Sequence, residues 1–231
     1  MNFMENRRWR NQYIDLLGSK PDYIVPSDGR TIAPAGVAFI ERRRAEFPRV
    51  YVEIGSGSGQ HLIELAHRDP HSLYIGYEIR FKRIFRTAEK AERLGLKNIL
   101  LIRQSAFLMP ETFGLGSLDG VYVNFPDPWD KRRWLKNRIL NPDFLPILHG
   151  MLRNEGFLSY KTDHAAYFAD TRELLDTLQL FYISALENDL HRSHLAGTTP
   201  ATEFENLFRS KGLPVMYLLA KKIGQPAAPR L

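Results

Sequence analysis

Between residues 50 and 178 the chain alternates short apolar runs with longer amphipathic stretches, and this alternation restricts the fold more than any other feature. The runs at 50–54, 72–78, 98–103, 118–124 and 156–162 read as strands, and the stretches at 60–67, 81–94, 142–152 and 164–178 read as helices. Helix-length connections force successive strands to lie parallel, because antiparallel neighbours need only a two-residue hairpin. The pattern predicts an α/β protein with a doubly wound, mostly parallel sheet. After residue 180 the rhythm changes. Residues 180–185 and 215–221 both read as strands, with a polar stretch and no long helix between them, which predicts a terminal antiparallel pair. Residues 1–49 read as an N-terminal basic arm, with a helix near 7–17, a Pro, Gly and Asp loop at 21–31 and a helix from Pro34. Residues 50–224 then form the main domain, and the Pro/Ala tail at 225–231 reads as frayed.

A chain of 231 residues suits one large domain and buries enough surface to fold as a globule. The sequence has no cysteine, which excludes disulfide scaffolding, thiolate catalysis and Cys-based zinc sites. No apolar run approaches the ~20 residues that span a bilayer, and the first residues lack the apolar core of a signal peptide, so a cytoplasmic protein without a membrane partner is expected. His61, His164, His191 and His194 lack metal-ligand spacing with acidic neighbours and read as structural or surface groups, so no metal is expected. Lys and Arg number 32 against 26 Asp and Glu, a net charge of +6, and the excess is concentrated. Residues 80–93 hold six basic and two acidic side chains, and residues 130–138 hold five and one. Basic patches of this kind bind polyanions through counterion release, which makes a nucleic acid a candidate partner.

The segment VYVEIGSGSGQHLIELA places Gly55, Gly57 and Gly59 between a strand and a helix, where glycine permits a tight turn and close approach to a ligand at a helix N-terminus. A dinucleotide fingerprint would require a small residue at 60, and Gln60 stands there. Glu53, at the end of the first strand, would repel a pyrophosphate and attract the ammonium of a methionine moiety. Glu78 closes the next strand, where an acid accepts hydrogen bonds from ribose hydroxyls. Together these residues point to S-adenosylmethionine.

At VNFPDPWDKRRWLKNR, residues 123–138, the chain resembles the bacterial tRNA (guanine-N7-)-methyltransferase family, whose hallmark is a Phe-Pro-Asp-Pro-Trp run followed by a basic cluster. Glu-Ile-Gly-x-Gly-x-Gly at 53–59, Thr-Asp at 162–163 and Thr-Glu-Phe-Glu at 202–205 follow the family order, and the likeness covers roughly residues 50–222. The resemblance implies an S-adenosylmethionine-dependent enzyme with a seven-stranded Rossmann-like sheet, acting on the variable-loop guanosine at position 46 of tRNA. It also implies that Glu53, Glu78 and Asp127 contact the cofactor, that Asp127 is catalytic, and that Lys131, Asp163, Thr202, Glu203, Phe204 and Glu205 contact the substrate. Two positions depart from the family pattern: Ser105-Ala106 replaces Asp-Ala where an acid accepts the adenine amino group, and Trp134 stands where His is common. Ser105 still accepts, without charge.

Guanine N7 has a lone pair and no proton, so its methylation needs alignment and charge stabilisation rather than a general base. Asp127, just past the fourth strand, suits that electrostatic role. Lys131, Arg132, Arg133, Lys136 and Arg138 are expected at phosphates. Glu205 is expected to accept from guanine N1–H and N2–H, and Asp163 to bind substrate or cap the next helix. Two other readings stand beside the main one. Asn124-Phe125-Pro126-Asp127 could be a degenerate Asn-Pro-Pro-aromatic motif of an amino-group methyltransferase acting on DNA or protein, and Ser105 could mark a tRNA-binding protein with weakened cofactor affinity. The sequence leaves monomer or homodimer open.

Overall fold

The computed structural model describes residues 11–224. Seven strands, β1 (Arg49–Ile54), β2 (Ser72–Tyr77), β3 (Ile99–Ile102), β4 (Leu118–Asn124), β5 (Leu152–Thr162), β6 (Phe181–Glu187) and β7 (Met216–Lys222), form one sheet in the order β3-β2-β1-β4-β5-β7-β6. The first five pair in parallel, and β7 runs antiparallel to both β5 and β6. This is the doubly wound sheet expected from the alternation, closed by the expected antiparallel pair. The order reverses between β1 and β4, and at such a switch point the loops at the carboxyl ends of the strands diverge and leave a crevice.

Side chains alternate across the sheet, as the pleat requires. Val50, Val52 and Ile54 of β1, with Leu73 and Ile75 of β2, face one core, shared with helices α5 (Phe144–Met151) and α6 (Ala165–Leu178). Tyr74, Ile99 and Leu101 face the other core, against α3 (Gln60–Arg68) and α4 (Phe81–Arg93). Helix α5 starts at Phe144 rather than Pro142 because Asn141 Oδ1 accepts from the N–H groups of Asp143 and Phe144 at 2.9 and 2.8 Å. It ends at Met151, and β5 begins at once at Leu152, four residues before the strand expected from Gly156. The early part of β5 turns through Glu155 at φ 64°, an irregularity the apolar pattern does not announce.

Before the sheet, the expected helix near 7–17 is a single turn, α1 (Tyr13–Leu16), continued by a 3₁₀ turn at Leu17–Ser19; residues 7–10 of that expectation, like the tail 225–231, lie outside the described residues. Helix α2 (Pro34–Ala45) starts at the expected proline. The chain between them docks on the edge of the sheet: Val25 N–H donates to the Leu101 carbonyl at 2.9 Å and Leu101 N–H to that of Tyr23 at 2.8 Å. Tyr23, Ile24 and Val25 are buried by this pairing. The polar stretch between β6 and β7 contains an unexpected helix, α7 (Glu203–Ser210).

Candidate active site

The chain leaves β1 and turns through Gly55, Gly57 and Gly59, whose φ angles are 72°, 56° and 76°. This left-handed backbone disfavours any side chain, and a Cβ on Gly59 would also collide with Thr87 of α4. The tight loop delivers the positive end of α3 to the crevice. Gln60, the first residue of α3, donates from Nε2 to the Ala201 carbonyl at 3.4 Å, tying this loop to the segment that leads into α7.

A cleft of about 360 Å³ opens here, walled by the ends of β1, β2 and β4 and by the start of α7. Glu53 is 2% exposed. Its Oε1 accepts from Asn124 Nδ2 at 2.9 Å and lies 3.1 Å from His61 Nδ1. Glu78 follows β2, and its Oε1 accepts the N–H groups of Ile79 and Arg80 at 2.8 and 2.9 Å, which fixes the carboxylate. Its Oε2 lies 3.7 Å from Arg83. Ser105 lines the same cleft, ahead of a 3₁₀ turn at Ala106–Glu111.

Glu53 Oε2, Ser56 Oγ, His61 Nε2, Gln104 Oε1 and Asn124 Oδ1, all on cleft-lining residues, are buried without a hydrogen-bond partner among the described residues. An unmet buried group costs about 1–3 kcal/mol, so this wall is built for a polar ligand. S-adenosylmethionine fits the donor set: Glu53 Oε2 suits its ammonium, Glu78 Oε2 its ribose hydroxyls, and Ile79, Ala106 and Phe107 the faces of its adenine. His61 belongs to this wall, whereas its sequence context suggests only a structural or surface group. Gln104 is a second neutral acceptor beside Ser105; its Nε2 is held by the Arg30 carbonyl at 3.0 Å, a long-range contact with no local signal.

The Phe-Pro-Asp-Pro-Trp loop forms the facing wall. Phe125 and Trp129 hold φ angles of 49° and 46°, a backbone strain of roughly 1–3 kcal/mol each that clusters at functional sites. The Phe125 N–H donates to the Lys161 carbonyl at 2.8 Å, and Asp127 is exposed at the mouth of the cleft. Arg138 anchors the loop from behind. Its Nε donates to the Pro128 carbonyl at 2.6 Å and its guanidinium pairs with Asp170 at 2.7 Å over the ring of Tyr167. At 7% exposure Arg138 serves this anchor, which corrects its expected place among the phosphate contacts. Lys131, Arg132, Arg133 and Lys136 are exposed, with the charges of Lys131 and Arg133 over the Trp134 ring at 4.7 and 4.9 Å.

Thr202, Glu203 and Phe204 also line the cleft. Glu205 does not. It is 1% exposed, and its Oε2 accepts from Lys161 Nζ at 2.8 Å and from the Thr202 N–H at 3.2 Å, while Thr202 Oγ1 accepts from the Glu205 N–H at 2.9 Å. This is a capping box at the start of α7. His191 Nε2 lies 3.1 Å from the other carboxylate oxygen. The expected guanine-accepting role of Glu205 is therefore corrected to an internal one. Burial pushes the Lys161 ammonium below its usual range, against the opposing pull of Glu205, and burial likewise lowers His191. Asp163 is exposed just past β5, apart from the residues that line the cleft, and α6 is capped instead by His164, whose Nδ1 accepts from the Tyr167 N–H at 3.1 Å. Among the described residues no group of three His, Asp or Glu side chains could hold a metal ion, and no helix is long and apolar enough to cross a membrane.

Residues 48–218 match the model of a family described as "Putative methyltransferase". A tRNA (guanine-N(7)-)-methyltransferase of Listeria monocytogenes is 34% identical over 172 residues, covering 74% of this chain and 79% of that protein. Its counterpart in Thermotoga maritima is 30% identical over 184 residues, 79% of this chain and 57% of that one. A bifunctional glycosyltransferase/methyltransferase of Fusobacterium nucleatum is 36% identical over 176 residues, and the match spans only 27% of its length. The solved structure of the 16S rRNA methyltransferase KamB superposes with a TM-score of 0.65 at 17% identity, over 85% of this chain and 98% of that one, a likeness of fold. With the Glu53–Gly59 loop, the strained Phe-Pro-Asp-Pro-Trp loop and the Thr202–Phe204 wall meeting at one cleft, the chain belongs to the tRNA (guanine-N(7)-)-methyltransferase family.

Proposed function

We propose that this protein methylates N7 of a guanosine in tRNA, and that the target is the variable-loop guanosine at position 46. The observation that carries the reading is a single cleft that joins two carboxylates, Glu53 with an unpartnered oxygen and Glu78, to the exposed Asp127 and the aromatic side chains of Trp129 and Phe204. S-adenosylmethionine supplies an electrophilic methyl group when bound there. Gly55, Gly57, Gly59 and Ser105 complete its binding surface.

No residue has to remove a proton from N7, so the chain's work is to hold the base in line, which contributes about 7–11 kcal/mol in favourable cases. Phe125, Phe204 and Trp129 offer ring faces on which a guanine stacks. Positive charge arrives on the imidazole part of the base during transfer, and the Asp127 carboxylate, shielded from water once tRNA covers the cleft, stabilises it. Glu203, which lines the cleft beside Phe204, takes the acceptor role for N1–H and N2–H that Glu205 is too buried to fill. Lys131, Arg133 and Lys136 meet phosphates, and Asp163 approaches the substrate outside the cleft.

The test is to incubate the protein with unmodified tRNA and methyl-labelled cofactor and to map the labelled nucleoside. Label in N7-methylguanosine at position 46 is expected. Label in an amino-methylated base, or none despite tight cofactor binding, would overturn the reading.

A further inference from the structure

Two basic stretches stand out in the sequence, and the proposed function uses only the one at 130–138. The other lies on α4. At about 100° per residue, Arg83, Arg86, Lys90 and Arg93 fall within about 80° of arc and form one stripe about 15 Å long. Neighbours along the stripe are three or four residues apart, a spacing at which like charges destabilise a helix. Acids neutralise the stripe only in part: Glu89 pairs with Arg86 at 2.7 Å and Glu78 lies 3.7 Å from Arg83, whereas Glu92 is drawn off by Lys20 and among the described residues no acid pairs with Lys90 or Arg93. A helix that accumulates such repulsion along one exposed face is suited to a ligand with repeated negative charge.

The placement of the stripe identifies that ligand. Arg83 lines the main cleft, while Lys90 and Arg93 line a second cleft between α3 and α4, together with Arg68, which is paired there with Glu64 at 2.8 Å. Ser58, Gln60 and Glu203 belong to both clefts, so the two are adjacent and share a wall. In the sheet β2 and β4 flank β1, so α4, which follows β2, and the exposed cations at 131–136, which follow β4, leave the sheet on either side of the loop that starts α3.

We propose that the α4 stripe is a second phosphate track: Arg86, Lys90 and Arg93, with Arg68, bind the tRNA backbone on one side of the target guanosine while Lys131, Arg133 and Lys136 bind it on the other. This rests on the proposed tRNA substrate. Phosphate contacts position an RNA without reading its sequence, so the track governs affinity and its salt dependence and leaves the target base unchanged.

The experiment measures binding of unmodified tRNA as a function of salt for wild type, for Arg86→Gln/Arg93→Gln and for Arg86→Gln/Lys90→Gln/Arg93→Gln. S-adenosylmethionine affinity and the thermal midpoint are followed in parallel. The double variant is the primary one, because Lys90 Nζ also donates to the Ser58 carbonyl of the glycine loop at 2.9 Å. Each lost contact is expected to reduce the slope of log K against log salt by roughly 0.7 to 0.9, with cofactor affinity unchanged and the midpoint no lower than wild type in the double variant. A double variant with the wild-type slope overturns the track and leaves the enzymatic reading intact. A wild type that binds no tRNA overturns both.

Discussion

Replacing Lys161 by Met would strand the Glu205 carboxylate in the interior. Lys161 is 0% and Glu205 1% exposed, and Lys161 Nζ donates both to that carboxylate at 2.8 Å and to the Pro200 carbonyl at 3.0 Å. Removing one member of a buried pair costs about 3–5 kcal/mol, because the remaining charge loses its partner in a low dielectric. For a protein of this size about 2–4 °C of midpoint accompanies each kcal/mol, so thermal unfolding of Lys161→Met should fall by about 6–20 °C. Removing both charges in Lys161→Met/Glu205→Leu should recover a large part of that loss, since neither charge is then stranded. Glu205→Gln should be milder than Lys161→Met, because burial already lowers the Lys161 pKa and an unpaired lysine can shed its proton. With the folded pKa below the unfolded one, the unfolded chain binds the extra proton between them, so this variant should gain stability relative to wild type as pH rises toward the ordinary lysine range. The assay is a melting series of all four proteins, paired with tRNA kinetics. If Glu205 contacts guanine directly, Glu205→Gln would melt like wild type and raise the tRNA KM; that outcome would refute the internal role.

Glu78→Ala should raise the cofactor KM and leave kcat near wild type, since ribose contacts exist in ground and transition states alike; a fall in kcat at saturating cofactor would contradict the assignment. Ser105→Asp, which restores the acid of the family pattern, should tighten cofactor binding by on the order of 1 kcal/mol in titration calorimetry. Unchanged affinity would mean that Gln104, with its open Oε1, already serves as acceptor. Asp127→Asn should lower the single-turnover rate with both ligands saturating by about 10²- to 10³-fold, with affinities retained. A wild-type rate would return Asp127 to the role of a turn residue.

The sequence by itself determined the sheet and the half of the cleft proposed for the cofactor. Strand, loop and helix follow one another between Arg49 and Arg68, so the glycines and Glu53 find their places through local geometry, and Glu78 follows from the strand beside them. The Thr202 to Glu205 segment is different. Its Thr-x-x-Glu spacing is a capping-box signal that would have announced α7, yet the same four residues also match a substrate motif. The choice for Glu205 was made by Lys161, 44 residues earlier in the chain, and the burial of Arg138 by Asp170, 32 residues later. Asn124 meets Glu53 only because β4 pairs with β1, and His61 joins them from the first turn of α3. Periodicity and turn chemistry are local quantities and are written in the order of residues. Which charge becomes buried, and what neutralises it, depends on partners that only the folded sheet brings within hydrogen-bonding distance.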